Sequence, residues 1–149
     1  MQVQTEQDIN RFIPENVNLK ESLKNRLGAG EVFLTGRGAS AIYASLRAIG
    51  KPGSYVALPS HICPSVPSAV IHAGYQPWFV DIDMKNFNLN CSFLNSAPGN
   101  TVAIIAPHIY GHPLDMDELV DFKNERGIIL IEDIAQAAGE SVNGRLLGT

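Results

Sequence analysis

An acid and a carboxamide follow a run of large apolar residues late in the chain. Residues 128–131 are apolar, Glu132 and Asp133 are acidic, and Gln136 comes three residues later. A short run of this kind predicts a strand buried on both faces of a parallel sheet. Open α/β sheets hold ligands at the carboxyl ends of their strands, so we expect Asp133 and Gln136 to line a ligand site. Taken alone, Asp133 could instead cap a following helix.

A second candidate site is the turn Gly36-Arg37-Gly38-Ala39-Ser40-Ala41, which precedes a predicted helix. Free amides in the first turn of a helix attract anions, and small residues let a ligand approach the backbone closely. The lysine of a P-loop is absent. A glycine-rich turn needed only for tight packing is the alternative.

The same turn matches the spacing of the dinucleotide fingerprint, with Gly36, Gly38 and Ala41 at its three positions. A nicotinamide-dinucleotide domain needs an acid about 20 residues later, at the end of the next strand. No Asp or Glu occurs between Glu31 and Asp81. The dinucleotide interpretation is therefore the less favoured one.

Strands and helices alternate between these two sites. Helices are predicted at 17–27, 39–49, 64–73 and from 116, and strands at 31–34, 54–58, 76–80, 101–106 and 127–132, after a loosely packed lead-in at 1–15. This alternation predicts an α/β fold with three layers, α/β/α, and a mostly parallel sheet. Sites two strands apart are separated by roughly 10 Å, which a phosphorylated ring spans. A carboxylate at Asp133 would keep a pyridine nitrogen protonated, so the predicted cofactor is pyridoxal 5'-phosphate.

Composition excludes several other classes of protein. The net charge is −4 and basic residues are not clustered, so nucleic acid is not an expected partner. No apolar run reaches the roughly 18 residues of a membrane span. A polar amino terminus and two cysteines predict a cytoplasmic protein.

Five segments, in order, resemble the DegT/StrS family of pyridoxal-phosphate-dependent sugar aminotransferases, which have the aspartate aminotransferase fold. The segments are Gly38-Ala39-Ser40-Ala41-Ile42, residues 58–60 with 74–83, residues 108–117 (which contain His-Ile-Tyr-Gly), Ile131-Glu132-Asp133-Ile134-Ala135-Gln136-Ala137, and residues 144–148. The resemblance implies that Gly38, Ala39 and Ser40 hold the phosphate, that Asp133 pairs with the pyridine nitrogen, and that Gln136 contacts the ring hydroxyl.

Three departures from the family pattern stand out. Ala39 replaces a common threonine, and Cys63 stands where many members stack an aromatic ring on the cofactor. The Schiff-base lysine of the family follows residues 144–148 by some tens of residues, in a segment that this chain does not contain. None of its lysines is expected to follow a strand at the cofactor end, so the catalytic lysine is absent.

The remaining polar candidates carry simpler expectations. His108 and His112 could share a metal on a helix, but the adjacent Gly111 and Pro113 predict a loop, and no third ligand is near. His108 is expected to be a hydrogen-bonded residue behind the cofactor edge. Asp81 and Asp83, which alternate faces at a strand end, are expected to be structural.

The resemblance implies two regions, 1–30 as lead-in and helix and 31–149 as part of a large cofactor-binding domain. Full-length relatives would transfer an amino group from glutamate or glutamine to a nucleotide-linked keto-sugar. This chain is expected to be inactive alone, to bind the cofactor weakly or not at all, and to form a homodimer or other oligomer. The alternative is a stand-alone cofactor- or sugar-binding remnant, or half of a split enzyme.

Overall fold

The structure is a computed structural model that describes residues 18–149. Thr35–Gly148 form one compact unit, and the described residues 18–34 belong to another. The predicted lead-in at 1–15 and the first residue of the predicted helical stripe, Val17, lie outside the described residues.

The smaller described segment contains one helix and no strand. Helix α1 spans Leu19–Leu27, begins where the Asn18 side chain accepts a hydrogen bond from the Glu21 amide, and ends at Gly28 in the left-handed conformation. The predicted strand at 31–34 is wrong, since these residues form no strand in the structure and Phe33 is 83% exposed. A short apolar run becomes a strand only where a neighbouring strand pairs with it, and no strand within residues 18–149 pairs with this run.

A parallel sheet of four strands organises the larger unit. Its strands are β1 (Tyr55–Pro59), β2 (Gln76–Val80), β3 (Thr101–Pro107) and β4 (Ile129–Asp133), in the spatial order β2-β1-β3-β4. The register pairs Pro59 with Val80 and Pro107 with Asp133. All four carboxyl ends therefore meet at one edge of the sheet, as the predicted α/β fold requires.

Helices and turns connect these strands. The α-helices are α2 (Gly38–Ile49), α3 (Ser65–His72) and α4 (Met116–Arg126), the 3₁₀ helices span Cys91–Ser96 and Ile109–Gly111, and a small hairpin is made of β5 (Ser141–Val142) and β6 (Arg145–Leu146). Helix α4 begins where a helix is predicted, and the Asp115 carboxylate caps it by accepting a hydrogen bond from the Glu118 amide. Within residues 18–149, no helix is both long enough and apolar enough to cross a membrane.

Alternating side chains of the central strands divide the core into two layers. Val56 and Leu58 of β1 pack with Leu46 of α2 and Val70 of α3 on one face. On the other face Ala57 packs in the cluster that contains Leu119 and Phe122 of α4. Successive residues of a strand point to opposite faces, so this division gives the predicted three-layer α/β/α arrangement.

The prediction that the last strand is buried on both faces is wrong. β4 is an edge strand of the described sheet, and its first residue, Ile129, is half exposed. Residues 129–131 of β4 are as apolar as the centre of β3, but within the described residues β3 has a neighbour on each side and β4 pairs only with β3. The pattern of apolar residues predicts that a segment is a buried strand, but it does not show how many other strands pair with that segment.

Candidate functional site

The amino end of α2 lies at the edge where the strands end. The helix packs on the sheet and its carboxyl end, at Gly50, leads through a turn to the start of β1, so it runs antiparallel to the strands. The Arg37 carbonyl accepts hydrogen bonds from the amides of Ser40 and Ala41. The amides of Gly38 and Ala39 precede these bonds and point out of the helix, where they can bind an anion.

The protein's own packing does not explain the glycines of this turn. A Cβ added at Gly36 or at Gly38 would meet no atom within 4 Å, and neither residue has a positive φ. The alternative that this turn is glycine-rich only for tight packing therefore fails. Without side chains at Gly36 and Gly38, the space beside the first amides of α2 is open to an anion.

Asp133 lies at the carboxyl end of β4, where the sequence places it. One carboxylate oxygen, Oδ1, accepts a hydrogen bond from the Ala135 amide at 3.0 Å. The residues that follow form a turn and no helix, so the alternative that Asp133 caps a helix is wrong. The hydrogen bond fixes the carboxylate at the edge of the sheet, where it can face a protonated ring nitrogen.

Gln136 is oriented by the loop that follows β3. Its Oε1 accepts a hydrogen bond from the Tyr110 amide at 2.7 Å. An amide N–H can only donate, so the oxygen must face Tyr110 and the NH₂ group must point the other way. Gln136 thus offers a donor at the site, which is the role that contact with a ring hydroxyl requires.

His108 is fully enclosed and uses both ring nitrogens. Nδ1 accepts from the Leu114 amide at 3.0 Å, and Nε2 lies 2.8 Å from Oε1 of Glu132. The first bond requires an unprotonated Nδ1, so the proton is on Nε2 and is donated to Glu132. The predicted hydrogen-bonded histidine is therefore present, and neither nitrogen is left to bind a metal.

Glu132 joins two segments to the end of the sheet. Its Oε1 also accepts a hydrogen bond from the Gly148 amide at 2.9 Å. Burial raises the pKa of Glu132, but the hydrogen bonds from His108 and Gly148 and the charge of Arg145 outweigh it and lower the pKa. The ionised carboxylate thus holds the loop after β3 and the hairpin beside Asp133.

Cys63 follows β1 and is exposed. Its Sγ lies 3.2 Å from the Ser65 hydroxyl. Hydrogen bonds from Ser65 lower the pKa of the thiol, and they outweigh slight burial and the opposing charge of Asp133. Cys63 follows β1 and Asp133 ends β4, so both residues lie at the edge where the parallel strands end.

Sequence reasoning missed Asn88, a fully buried residue that shapes the site. Its Oδ1 accepts from the Ile109 amide at 2.9 Å, and its Nδ2 donates to the His112 carbonyl at 2.8 Å. It therefore holds both ends of the turn that contains Tyr110. In the sequence Asn88 is one of several asparagines in a loop, and nothing local distinguishes it from solvated neighbours.

Three aromatic rings were also missed. His61, Phe87 and Tyr110 follow β1, β2 and β3, with ring centroids 5.8–5.9 Å apart. The Tyr110 hydroxyl lies 3.1 Å from Nε2 of His61. Phe87 and Tyr110 both have left-handed backbones, which costs about 1–3 kcal/mol for such residues. Strain of this kind is concentrated at functional sites.

Other candidates take structural positions. The Asp81 carboxylate accepts from the Ile82 amide and the Asp83 carboxylate from the Lys85 amide, so both stabilise the turn after β2, as predicted. No group of three His, Cys, Asp or Glu side chains in residues 18–149 could hold a metal.

One expectation about the lysines needs correction. Lys85 does follow a strand at the cofactor end of the sheet, since it lies five residues after β2. However, β2 and β4 are three strand spacings apart, about 14 Å, so Lys85 does not stand beside Asp133. Of the others, Lys51 lies at the opposite edge, and Lys123 is in α4.

Comparison with known proteins gives one protein family that this chain resembles. The model of the DegT/DnrJ/EryC1/StrS aminotransferase family matches residues 2–149. Protein MosB of Rhizobium meliloti is 38% identical over 124 residues, which cover 82% of this chain and 24% of MosB. GDP-perosamine synthase of Escherichia coli O157:H7 is 33% identical, over 75% of this chain and 31% of the synthase.

Solved structures also match this chain over most of its length. S. venezuelae DesV, determined in complex with a ketimine intermediate, matches with a TM-score of 0.82 and 27% identity over 95% of this chain and 41% of that one. NtdA of Bacillus subtilis, determined with bound cofactor PMP, matches with a TM-score of 0.78 and 28% identity over 84% of this chain and 29% of that one. The chain thus spans about a quarter to a third of the length of these curated relatives.

Proposed function

Because the chain belongs to the DegT/DnrJ/EryC1/StrS aminotransferase family, whose cofactor is pyridoxal phosphate, we propose that it is the cofactor-binding part of a sugar aminotransferase. The substrate would be a nucleotide-linked keto-sugar, and the amino donor would be glutamate or glutamine. The observation that carries this proposal is the common edge at which the amino end of α2, Asp133 and Gln136 are found.

Each side chain has a defined task in this proposal. The amides of Gly38 and Ala39, with the Ser40 hydroxyl, hold the phosphate. Asp133 keeps a proton on the pyridine nitrogen, and the NH₂ of Gln136 donates to the ring hydroxyl. Pyridoxal phosphate supplies the electron sink for amino-group transfer. Cys63 lies beside the ring without stacking on it as an aromatic residue would.

We also propose that this chain alone does not catalyse transamination. The reaction needs an amine that bonds to the cofactor and moves a proton, and none of the lysines within residues 35–148 stands beside Asp133. His108 does not replace it, because its proton and its lone pair are both engaged. The expected behaviour of the chain is weak, non-covalent binding of the cofactor.

Titration with pyridoxal phosphate, followed by the absorbance of the cofactor, tests the proposal. Asp133→Ala should weaken binding about 10- to 100-fold, the effect of losing one hydrogen bond to a charged group. Asp117→Asn, which removes a charge from the exposed side of α4, is the matched control. Equal affinities of the wild type and Asp133→Ala would refute the assigned role of Asp133.

Borohydride reduction and mass analysis test the absence of a catalytic lysine. We expect no stoichiometric adduct on any single lysine. A stoichiometric adduct, on Lys85 for example, would refute the proposed lack of activity while leaving the cofactor site in place.

A further inference from the structure

The aromatic cluster of His61, Phe87 and Tyr110 is not explained by the fold. Each ring contacts the other two at the edge where the strands end. Tyr110 is 62% exposed and Phe87 is 36% exposed, so neither ring is part of the buried core. Such rings do not contribute to folding as core residues do, and their presence calls for another reason.

The backbone conformation of Phe87 and Tyr110 is further evidence that their rings have a role outside the core. Phe87 has φ 62° and Tyr110 has φ 54°, both in the left-handed region that glycine and asparagine occupy most easily. Asn143, the remaining non-glycine residue with a positive φ among residues 18–149, is of the tolerant type. Bulky aromatic residues occupy the two strained positions whose rings meet, which indicates that the rings are used.

Side chains from distant segments hold Tyr110 in this conformation. Asn88 bonds to Ile109, which precedes Tyr110, and to His112, two residues after it, and Gln136 accepts a hydrogen bond from the Tyr110 amide. Its hydroxyl is fixed by the hydrogen bond to His61. The ring is therefore preorganised, which lowers the entropy lost when a ligand binds to it.

The position of the cluster identifies the part of a ligand that it would contact. Tyr110 and Asp133 follow neighbouring strands, β3 and β4, and Tyr110 is bonded directly to the proposed cofactor residue Gln136. The group that binds next to the cofactor of an aminotransferase is the one that exchanges the amino group. In the function proposed above, on which this inference rests, that group is the sugar ring.

The chemistry of the cluster suits a sugar. The face of an aromatic ring carries partial negative charge and attracts the C–H groups on the apolar face of a hexose. The Tyr110 hydroxyl and the imidazole of His61 can exchange hydrogen bonds with hydroxyl groups at the rim of the same ring. We propose that His61, Phe87 and Tyr110 form a sugar-binding subsite in which the hexose of a nucleotide-linked sugar stacks on Tyr110.

Tyr110→Asn is the most informative variant, because asparagine tolerates the left-handed backbone while the ring and its hydroxyl are removed. Binding of GDP-mannose and of GDP would be measured by NMR titration of the full chain, and UDP-N-acetylglucosamine and UDP would form a second pair. The wild type should bind each nucleotide-sugar more tightly than the bare nucleotide. Tyr110→Asn should weaken binding of the nucleotide-sugar by roughly 2- to 12-fold and leave that of the nucleotide unchanged.

Phe93→Ala, which removes an exposed ring that is not part of the cluster, should change neither affinity. Unchanged binding of the nucleotide-sugars by Tyr110→Asn would overturn the proposal. Equal losses for sugar and bare nucleotide would overturn it in favour of a base-binding surface. Absence of nucleotide-sugar binding by the wild type would overturn it as well.

Titration of the same variants with pyridoxal phosphate separates this proposal from the previous one. Tyr110→Asn retains the backbone amide that orients Gln136, so its cofactor affinity should equal that of the wild type. A wild type that binds the cofactor but no nucleotide-sugar refutes the subsite alone. A wild type that does not bind the cofactor refutes the proposed function.

Discussion

Replacement of Asn88 by alanine should destabilise the protein more than its position in a loop suggests. The side chain is fully buried and makes two hydrogen bonds to the backbone of the turn that contains Tyr110. Without the Asn88 side chain, the Ile109 amide has no hydrogen-bond acceptor, and water does not replace it because Ile109 is 4% exposed. The carbonyl of His112 belongs to an exposed residue and can bond to water instead, so the loss of its hydrogen bond from Asn88 costs less.

The size of the effect follows from these two groups. A buried amide without a partner costs about 1–3 kcal/mol, and an ordinary hydrogen bond contributes about 1 kcal/mol, so the expected loss is roughly 3 kcal/mol. With a urea m-value of roughly 1.5 kcal/mol/M, the midpoint of unfolding should fall by about 2 M. The fluorescence of Trp78, the single tryptophan, reports the transition.

Two further variants make this test decisive. Asn124→Ala, at an exposed position of α4, should stay within about 0.5 kcal/mol of the wild type. Asn88→Asp keeps the acceptor for Ile109 but places a carboxylate oxygen against the His112 carbonyl. Its protonation restores a donor, so the deficit of this variant should shrink as the pH falls. A midpoint for Asn88→Ala within 0.3 M of the wild type would refute the reasoning.

Three other predictions follow from the structure. Leu46→Ala, which truncates a fully buried side chain of α2, should cost about 2–5 kcal/mol in urea unfolding, and a loss below 1 kcal/mol would contradict the assigned core. The lowered pKa of Glu132 means that its contribution to stability is complete above the unfolded pKa and is lost as the pH falls through the folded one. Glu132→Gln should therefore flatten the decline in stability between roughly pH 5 and pH 3, and an unchanged slope would argue against the bond to His108. Iodoacetamide should alkylate Cys63 before Cys91. Hydrogen bonds from Ser65 lower the pKa of Cys63, whereas burial and the charge of Glu118 raise the pKa of Cys91 to about 12. Alkylation of Cys91 first, on peptide mapping, would contradict this prediction.

The sequence by itself was sufficient for the architecture and for the placement of Asp133 and of the turn before α2 at one edge of the sheet. Alternating periodicities predict the parallel sheet, and the helices predicted to end before Gly28 and Gly50 do end there, at glycines with a left-handed backbone. These signals are local, since backbone sterics and burial act on neighbouring residues. Asp133 could be predicted because the end of a parallel strand has a known place in the fold.

Only the tertiary structure could reveal what surrounds that site. The bonds from Asn88 to Ile109 and His112, and from Gln136 to Tyr110, join residues 21 to 26 positions apart, and no local pattern encodes such pairings. A local pattern also does not encode that β4 lies at the edge of the described sheet, because strand pairing depends on which strands are neighbours in space. Local sequence determines the type of each element, whereas contacts between elements decide which polar side chain orients which backbone group.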